Sequence, residues 1–287
     1  MGNNVKFLVL GASGMAGNMI YSYLKERGYE CVGLDKHVTI PGCLSVDATN
    51  FNALDDVIKK ENPDIIINCI GILNQFAEDN KELAIKLNSL LPIHLEQVTK
   101  DTKIRVFQMS TDCVFSGSRG AYTEEDLPDG RTWYDRTKAM GELRNNKDLT
   151  FRNSIIGPDT NVNGIGLFNW FMKQEGNISG YTKAMWTGVT TLELAKAMEK
   201  AAHSEVYGLF NCVNNTSISK YKMLCLFKKY MQKDKIIINK NETVVVDKSL
   251  RRTNFDFDYA VPSYEQMIKE MSEWIYQHKE MYPHYFN

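Results

Sequence analysis

The sequence predicts an α/β protein built on a doubly wound parallel sheet with helices on both faces. Three observations predict it. Short apolar runs alternate with amphipathic stretches of roughly 10–15 residues through the first half, the pattern of consecutive βαβ units. One of those runs, Ile65–Ile70, is nearly all β-branched, as a strand covered on both faces requires. A glycine-rich turn, Gly11-Ala12-Ser13-Gly14-Met15-Ala16-Gly17, joins the first apolar run to the first amphipathic one.

Taken in order, Val5–Leu10 reads as a buried strand, and Met15–Arg27 as a helix that Gly28 closes. Cys31–Leu34 makes a second strand, and a short third one ends at Val46. Ala53–Glu61 is helical until Asn62-Pro63 stops it, because proline cannot continue a helix. Ile65–Ile70 is the fourth strand, Leu83–Lys100 a helix, Arg105–Met109 the fifth strand and Tyr134–Arg144 a further helix. Phe151–Ile156 and Gly208–Val213 read as sheet strands, and Thr191–Ala202 as a helix packed on the sheet. The regular alternation otherwise ends near residue 155. The expected division is a Rossmann-type dinucleotide-binding domain of residues 1–156 plus 187–213. A substrate-binding region of 157–186 plus 214–287 completes it.

The 287 residues carry 34 basic and 35 acidic side chains, a net charge of −1, so no electrostatic footprint for nucleic acid is expected. Polar Gly2-Asn3-Asn4 leads directly into the first strand without a signal-peptide pattern, and no apolar stretch approaches the roughly 20 residues of a membrane span. A cytoplasmic location is expected. The six cysteines are scattered without a C-x-x-C pair and read as small buried hydrophobes. The five histidines lack ligand spacing, and no metal site is expected.

Glycines at positions 11, 14 and 17 permit a tight turn, backbone approach to a pyrophosphate and close helix–strand packing. The free N–H groups and positive end of the following helix then hold phosphates, so Gly11, Ser13, Gly14, Met15, Ala16 and Gly17 are candidate dinucleotide contacts. Asp35 ends the second strand, where a carboxylate accepts from a ribose 2′-OH and repels a 2′-phosphate. That favours NAD(H), although Lys36 and His37 follow and leave NADP(H) open. Asp47 either accepts from an adenine amino group or forms a turn. Asn68, Cys69, Ile70 and Gly71 end the fourth strand at the sheet edge that a dinucleotide crosses.

Tyr134 and Lys138 stand four residues apart in Trp133-Tyr134-Asp135-Arg136-Thr137-Lys138, which stacks both on one helical face. A nearby ammonium favours phenolate, so the tyrosine pKa is expected to fall toward neutrality and the phenol to exchange a proton with a carbonyl oxygen. The fifth strand ends in Ser110-Thr111-Asp112-Cys113-Val114-Phe115. Glycine turn, Ser-Thr and Tyr-x-x-x-Lys, in this order, resemble the extended short-chain dehydrogenase/reductase family. Within it, Phe151-Arg152-Asn153-Ser154, Gly188–Leu194 and Asp247-Lys248-Ser249-Leu250 are similar to the dTDP-4-dehydrorhamnose reductase branch.

The resemblance implies an NAD(P)H-dependent reductase of a nucleotide-activated 4-keto-6-deoxysugar, serving cell-surface polysaccharide synthesis. By the same resemblance Tyr134 is the general acid, Lys138 binds the nicotinamide ribose and tunes the tyrosine, and Thr111 hydrogen-bonds the reacting oxygen. Asn88 either supports the lysine through a water or caps structure. Asp112 either hydrogen-bonds a sugar hydroxyl or holds a turn, Cys113 and Asn153 face the sugar, Asn74 and Gln75 are weaker sugar contacts, and Lys248 and Arg251, with Arg252, meet the diphosphate. Cys113 and Ile155 stand where rhamnose-specific relatives carry tyrosine and tryptophan, so another 4-keto-deoxyhexose, with or without an N-acetyl group, is the expected substrate. Asp112-Cys113 lacks the Asp-Glu pair of sugar-nucleotide dehydratases. The alternatives are an NAD-dependent nucleotide-sugar epimerase and a non-catalytic dinucleotide-binding regulatory subunit, and a homodimer is compatible with each.

Overall fold

The computed structural model describes residues 5–286. Its central sheet contains β1 (Lys6–Leu10), β2 (Glu30–Asp35), β3 (Leu44–Ser45), β4 (Ile65–Asn68), β5 (Arg105–Met109) and β6 (Leu149–Arg152). Further along come β7 (Ser154–Ile156), β8 (Asn177–Trp186), β9 (Gly188–Thr190), β10 (Gly208–Asn211), β11 (Ile218–Ser219) and β12 (Ile237–Asp247). Seven strands form one sheet in the order β10-β6-β5-β4-β1-β2-β3, every neighbouring pair parallel. The winding reverses between β1 and β4. A crevice therefore opens beyond their carboxyl ends, where α/β sheets bind ligands.

Strand periodicity decides which helices cover which face. Phe7, Val9, Ile65, Ile67 and Phe107 point to one side, and Leu8, Leu10, Ile66 and Val106 to the other, each set joining a separate apolar cluster. The first side is covered by α1 (Met15–Glu26) and α8 (Thr191–Ala202), with α10 (Tyr264–Gln277) packed on α8, and α9 (Lys220–Tyr230) on β8 and α10; the second by α2 (Phe51–Glu61) and α5 (Leu91–Thr99). Shorter helices are α3 (Asn74–Asp79), α4 (Lys81–Ala84), α6 (Trp133–Met140) and α7 (Leu167–Met172). Asn50 caps α2 through Ala53 N–H, and Asn62 ends it with a left-handed φ of 42° just before Pro63.

Two expected elements differ in detail. The helix anticipated over 83–100 is broken by a π-turn, Ile85–Leu90, between α4 and α5. The strand anticipated over Phe151–Ile156 is interrupted at Asn153: β6 belongs to the main sheet, whereas β7 leaves it and pairs with β9. The remaining strands form a three-stranded sheet, β11-β8-β12, with β12 along its edge. No helix among the described residues is long and apolar enough to cross a membrane.

The C-terminal end of α6 is fixed by a buried ion pair. Glu142 Oε1 accepts from Arg152 Nε at 2.7 Å and Oε2 from Arg152 Nη2 at 2.6 Å, with both side chains at most 2% exposed. Ser110 Oγ donates to the same Oε1 at 2.7 Å, tying the end of β5 into the pair. Removing one partner strands a charge in the interior. Arg152→Ala is therefore expected to lower the unfolding free energy by about 3–5 kcal/mol in urea titrations. A loss below 1 kcal/mol would show that water reaches Glu142.

Candidate active site

The crevice at the β1/β4 reversal holds a cavity of about 400 Å³. Its floor is the glycine turn. Gly11 takes a left-handed φ of +77°, and a Cβ on Gly17 would stand 2.0 Å from the Gly11 carbonyl oxygen, so both positions require glycine. Gly14 caps α1 without any side-chain hydrogen bond, and no acidic residue occupies the first turn. The first N–H groups of a 12-residue helix are thereby left for an anion. This uncapped terminus and glycine cradle fit a dinucleotide pyrophosphate, with Gly14, Met15, Ala16 and Gly17 lining the cavity.

One wall comes from the ends of β4 and β5. Cys69, Ile70 and Gly71 line it, and a Cβ on Gly71 would stand 3.5 Å from Asn88 Oδ1 and 3.9 Å from Lys138 Nζ. Asn68 lies behind the wall, fully buried, donating to Gln108 Oε1 and accepting from Ile70 N–H. Thr111 begins a turn at the end of β5 and accepts from Cys113 N–H at 3.1 Å. Thr111, Asp112 and Cys113 all reach the cavity.

The same wall continues into α6, which packs against the ends of β4 and β5. Thr132 and Asp135 form a reciprocal cap at its start, and Glu78 of α3 accepts from Trp133 N–H at 2.6 Å. Tyr134 and Lys138 share the buried face at 9% and 5% exposure, as the four-residue spacing requires. Asn88, on the π-turn, accepts from Ile72 N–H and donates to Ile72 O and to Thr137 Oγ1, at 2.8, 2.9 and 3.0 Å. It thus staples the loop after β4 to α6. A water between Asn88 and Lys138 is not needed for that role.

The electrostatics depart from one sequence expectation. Burial raises the Tyr134 pKa, aided by nearby Cys113 and Asp112 and opposed by the Thr111 hydroxyl. The Lys138 ammonium donates to the Met109 carbonyl at 2.6 Å, and burial depresses its pKa to about 8. Burial thus keeps Tyr134 as the neutral phenol. Burial likewise raises the Asp112 carboxyl and pushes the Cys113 thiol up to about 12.

Other anticipated residues lie at differing distances from this centre. Asp35 sits beside the glycine turn, accepting from Ser13 N–H at 3.0 Å and from His37 N–H at 3.3 Å. Lys36 pairs with Asp47 at 2.9 Å; that ammonium holds the carboxyl down at about 2, and Thr49 takes up its Oδ1. Asn153 lines the cavity, and its Oδ1 is buried without a hydrogen-bond partner. Lys248 lies near enough to Asp112 to lower its pKa. Asn74 lines the cavity, whereas Gln75 is exposed and donates to Asp79.

Arg251 does not join the cavity. It lies in a separate cleft with Thr187, Ser249 and Leu250. Arg252 turns inward, and its guanidinium donates to the carbonyls of Asn254, Phe257 and Tyr259, which makes it a structural cation. Sequence reasoning gave no role to Ser154, Asp159 or Ile165, all of which line the cavity. Only the general expectation that 157–186 covers the site pointed toward the last two. Among the described residues no cluster of metal-binding side chains occurs and the six cysteines are free.

Comparison with known proteins gives this geometry a family. The dTDP-4-dehydrorhamnose reductase of Streptomyces griseus is 35% identical over 139 residues, 48% of this chain and 43% of that protein. The chain thus spans less than half the length of that relative. Methionine adenosyltransferase 2 subunit beta of Bos taurus is 23% identical over 236 residues, covering 77% of this chain and 71% of that one. The dTDP-4-dehydrorhamnose reductase of Bacillus anthracis, solved in complex with NADP, superposes with a TM-score of 0.78 at 22% identity, over 93% of this chain and 98% of that one. The RmlD substrate binding domain profile matches residues 5–255, from the first strand to the basic segment after β12. With the glycine turn, the Thr111 turn and the Tyr134–Lys138 face all inside that span, the chain belongs to the RmlD substrate binding domain family.

Proposed function

We propose that this chain reduces the keto group of a nucleotide-activated 4-keto-6-deoxysugar, preferring NAD(H), in a step of cell-surface polysaccharide synthesis. One observation carries the reading: a buried acid, a buried ammonium and a hydroxyl meet in one cavity whose floor is an uncapped, glycine-lined helix terminus. A bound reduced nicotinamide dinucleotide supplies the hydride. The chain supplies the rest. Tyr134 gives its proton to the carbonyl oxygen as that oxygen gains charge, leaving a phenolate that the adjacent Lys138 ammonium stabilises. Thr111 positions the same oxygen. Asn153 Oδ1 offers an unused acceptor to a sugar hydroxyl, and Lys248 offers a cation at the Asp112 side. Met109, Cys113, Ile155 and Ile165 make an apolar wall, suited to the methyl carbon of a 6-deoxy sugar. Residues 157–186 and 214–287 are assigned to substrate binding.

For the coenzyme, Asp35 supports NAD(H). Its carboxylate is anchored beside the glycine turn, and Lys36, the cation that would offset repulsion of a 2′-phosphate, is neutralised by Asp47. Asp35→Ala is expected to relax discrimination against NADPH at least several-fold in kcat/KM ratios. An unchanged ratio would assign the choice elsewhere.

The decisive assay is loss of NADH absorbance with a panel of nucleotide 4-keto-6-deoxysugars. Turnover without net consumption of NADH would mark an epimerase. Tyr134→Phe is expected to cost on the order of 10²–10⁴-fold in rate while leaving dinucleotide binding measurable. Wild-type turnover in that variant would refute the acid assignment.

Lys138 also predicts a stability signature. Its folded pKa of about 8 lies below the roughly 10.4 of an unfolded lysine. Below pH 8 both states hold the proton and the fold bears the whole burial cost. Between about pH 8 and 10.4 the unfolded chain binds more protons, so stability rises with pH. Lys138→Met should therefore be more stable than wild type at pH 7 by on the order of 3 kcal/mol in urea titrations, and lose that advantage toward pH 10. A pH-independent difference would contradict the burial account.

A further inference from the structure

Asp159 lines the cavity yet has no part in the proton transfer proposed above. Its Oδ1 accepts from Asn161 N–H at 2.9 Å. Its Oδ2 receives no hydrogen bond and joins no ion pair among the described residues. A Cβ on Gly164 would stand 2.1 Å from that oxygen, so the loop leaves it room only because residue 164 has no side chain. Burial raises this carboxyl; the Asn161 N–H, His284 and Lys173 all favour its ionised form.

The loop is built to hold Asp159 still. Asn161 Oδ1 accepts from Asn163 N–H at 2.9 Å, and fully buried Asn169 of α7 donates to the Gly164 carbonyl at 2.6 Å. A distant part of the chain supplies the remaining tie: Asp159 N–H donates to the Tyr285 hydroxyl at 2.8 Å. Tyr285 is 8% exposed, belongs to the turn Pro283–Tyr285 and packs edge-on against Phe168 of α7, with ring centroids 5.6 Å apart. It lies beyond residue 255, where the family profile ends, so family membership does not account for it.

An unengaged carboxylate oxygen is an acceptor in want of a donor. Asn153 Oδ1, in the same cavity, is a second. Phosphate and keto oxygens cannot satisfy two acceptors, because they donate nothing. Hydroxyls of a sugar ring can.

We propose that Asp159 is a binding residue whose Oδ2 accepts a hydrogen bond from a ring hydroxyl of the ligand, and that Tyr285 is the positioning residue that holds Asp159 for this contact. The inference rests on the reductase reading, which brings two hydroxyl-bearing rings to the cavity, the hexose of the substrate and the nicotinamide ribose.

Kinetics and binding of two variants test it. Asp159→Ala removes the acceptor. Asp159→Asn keeps the bond to Asn161 N–H but puts an NH2 group in place of Oδ2, against which a hydroxyl must reverse and accept. If the hexose is the donor, KM for the keto-sugar nucleotide should rise on the order of 10–100-fold in the alanine variant and about tenfold in the asparagine variant. The kcat should stay within about threefold, since the contact is made equally before and during reaction. If the ribose is the donor, the NADH dissociation constant from fluorescence titration should rise by those factors instead. Tyr285→Phe should raise the same constant about threefold or more. On top of Asp159→Ala it should add less than about twofold, because it acts through Asp159. An asparagine variant equal to wild type beside a weakened alanine variant would make Asp159 a loop-former only and overturn the proposal. So would unchanged constants in both variants. Full additivity of Tyr285→Phe overturns the positioning role. The same titrations with nucleotide hexoses lacking a keto group read the contact without turnover. Weakened binding there, in a protein that reduces no keto-sugar, upholds the contact and sinks the reductase reading alone.

Discussion

Everything about the cleft depends on how α6 is held against the ends of β4 and β5, and that hold is polar. Asn88 staples the helix through Thr137 and the loop after β4 through Ile72. Ser89 Oγ donates to the Thr137 carbonyl, and Lys138 Nζ to that of Met109. At the far end Glu142, Arg152 and Ser110 close the arrangement. Apolar packing tolerates sliding by a fraction of an ångström, because its energy varies gently with displacement. Directional bonds between buried groups do not, since a broken one leaves an unsolvated donor or acceptor. Tyr134 is thereby kept in a fixed place relative to the glycine turn.

The same burial that fixes the geometry reverses a simple electrostatic rule. A cation four residues along a helix pulls a phenol pKa down only where its field reaches the phenol more strongly than desolvation pushes back. Here both groups are buried and the ammonium is occupied by a carbonyl. The helix therefore presents a neutral acid and a lysine whose charge is itself under strain. In the proposed reduction the proton is in place before any charge develops on substrate, and the cation would pair with the phenolate left by transfer.

The local chemistry was plain in the sequence wherever function follows chain spacing. The glycine turn, Thr111 at the end of β5, and the Tyr134–Lys138 face each occupy one short stretch, and strand and helix periods place them without long-range information. Partnerships between distant residues were not visible. That Lys36 would be spent on Asp47, or Arg252 on three carbonyls, depends on how loops fold back. The split of Phe151–Ile156 at Asn153 depends on β9 arriving to claim β7, and β9 lies more than thirty residues on. The π-turn at Ile85–Leu90 has no propensity signature; it exists because Asn88 must face the loop after β4.

Gly141 carries a mechanical implication. A Cβ there would fall 2.0 Å from the Asn88 carbonyl oxygen, so backbone meets backbone with no cushioning side chain between them. The acid-bearing wall is in effect an anvil, unable to travel inward when a ligand arrives. The facing stretch, Asp159 to Gly166, is tied down through the Asp159 N–H, which donates to the Tyr285 hydroxyl at 2.8 Å. The two sides of the crevice are in this way secured by different means, backbone against backbone on one and a side-chain hydrogen bond on the other.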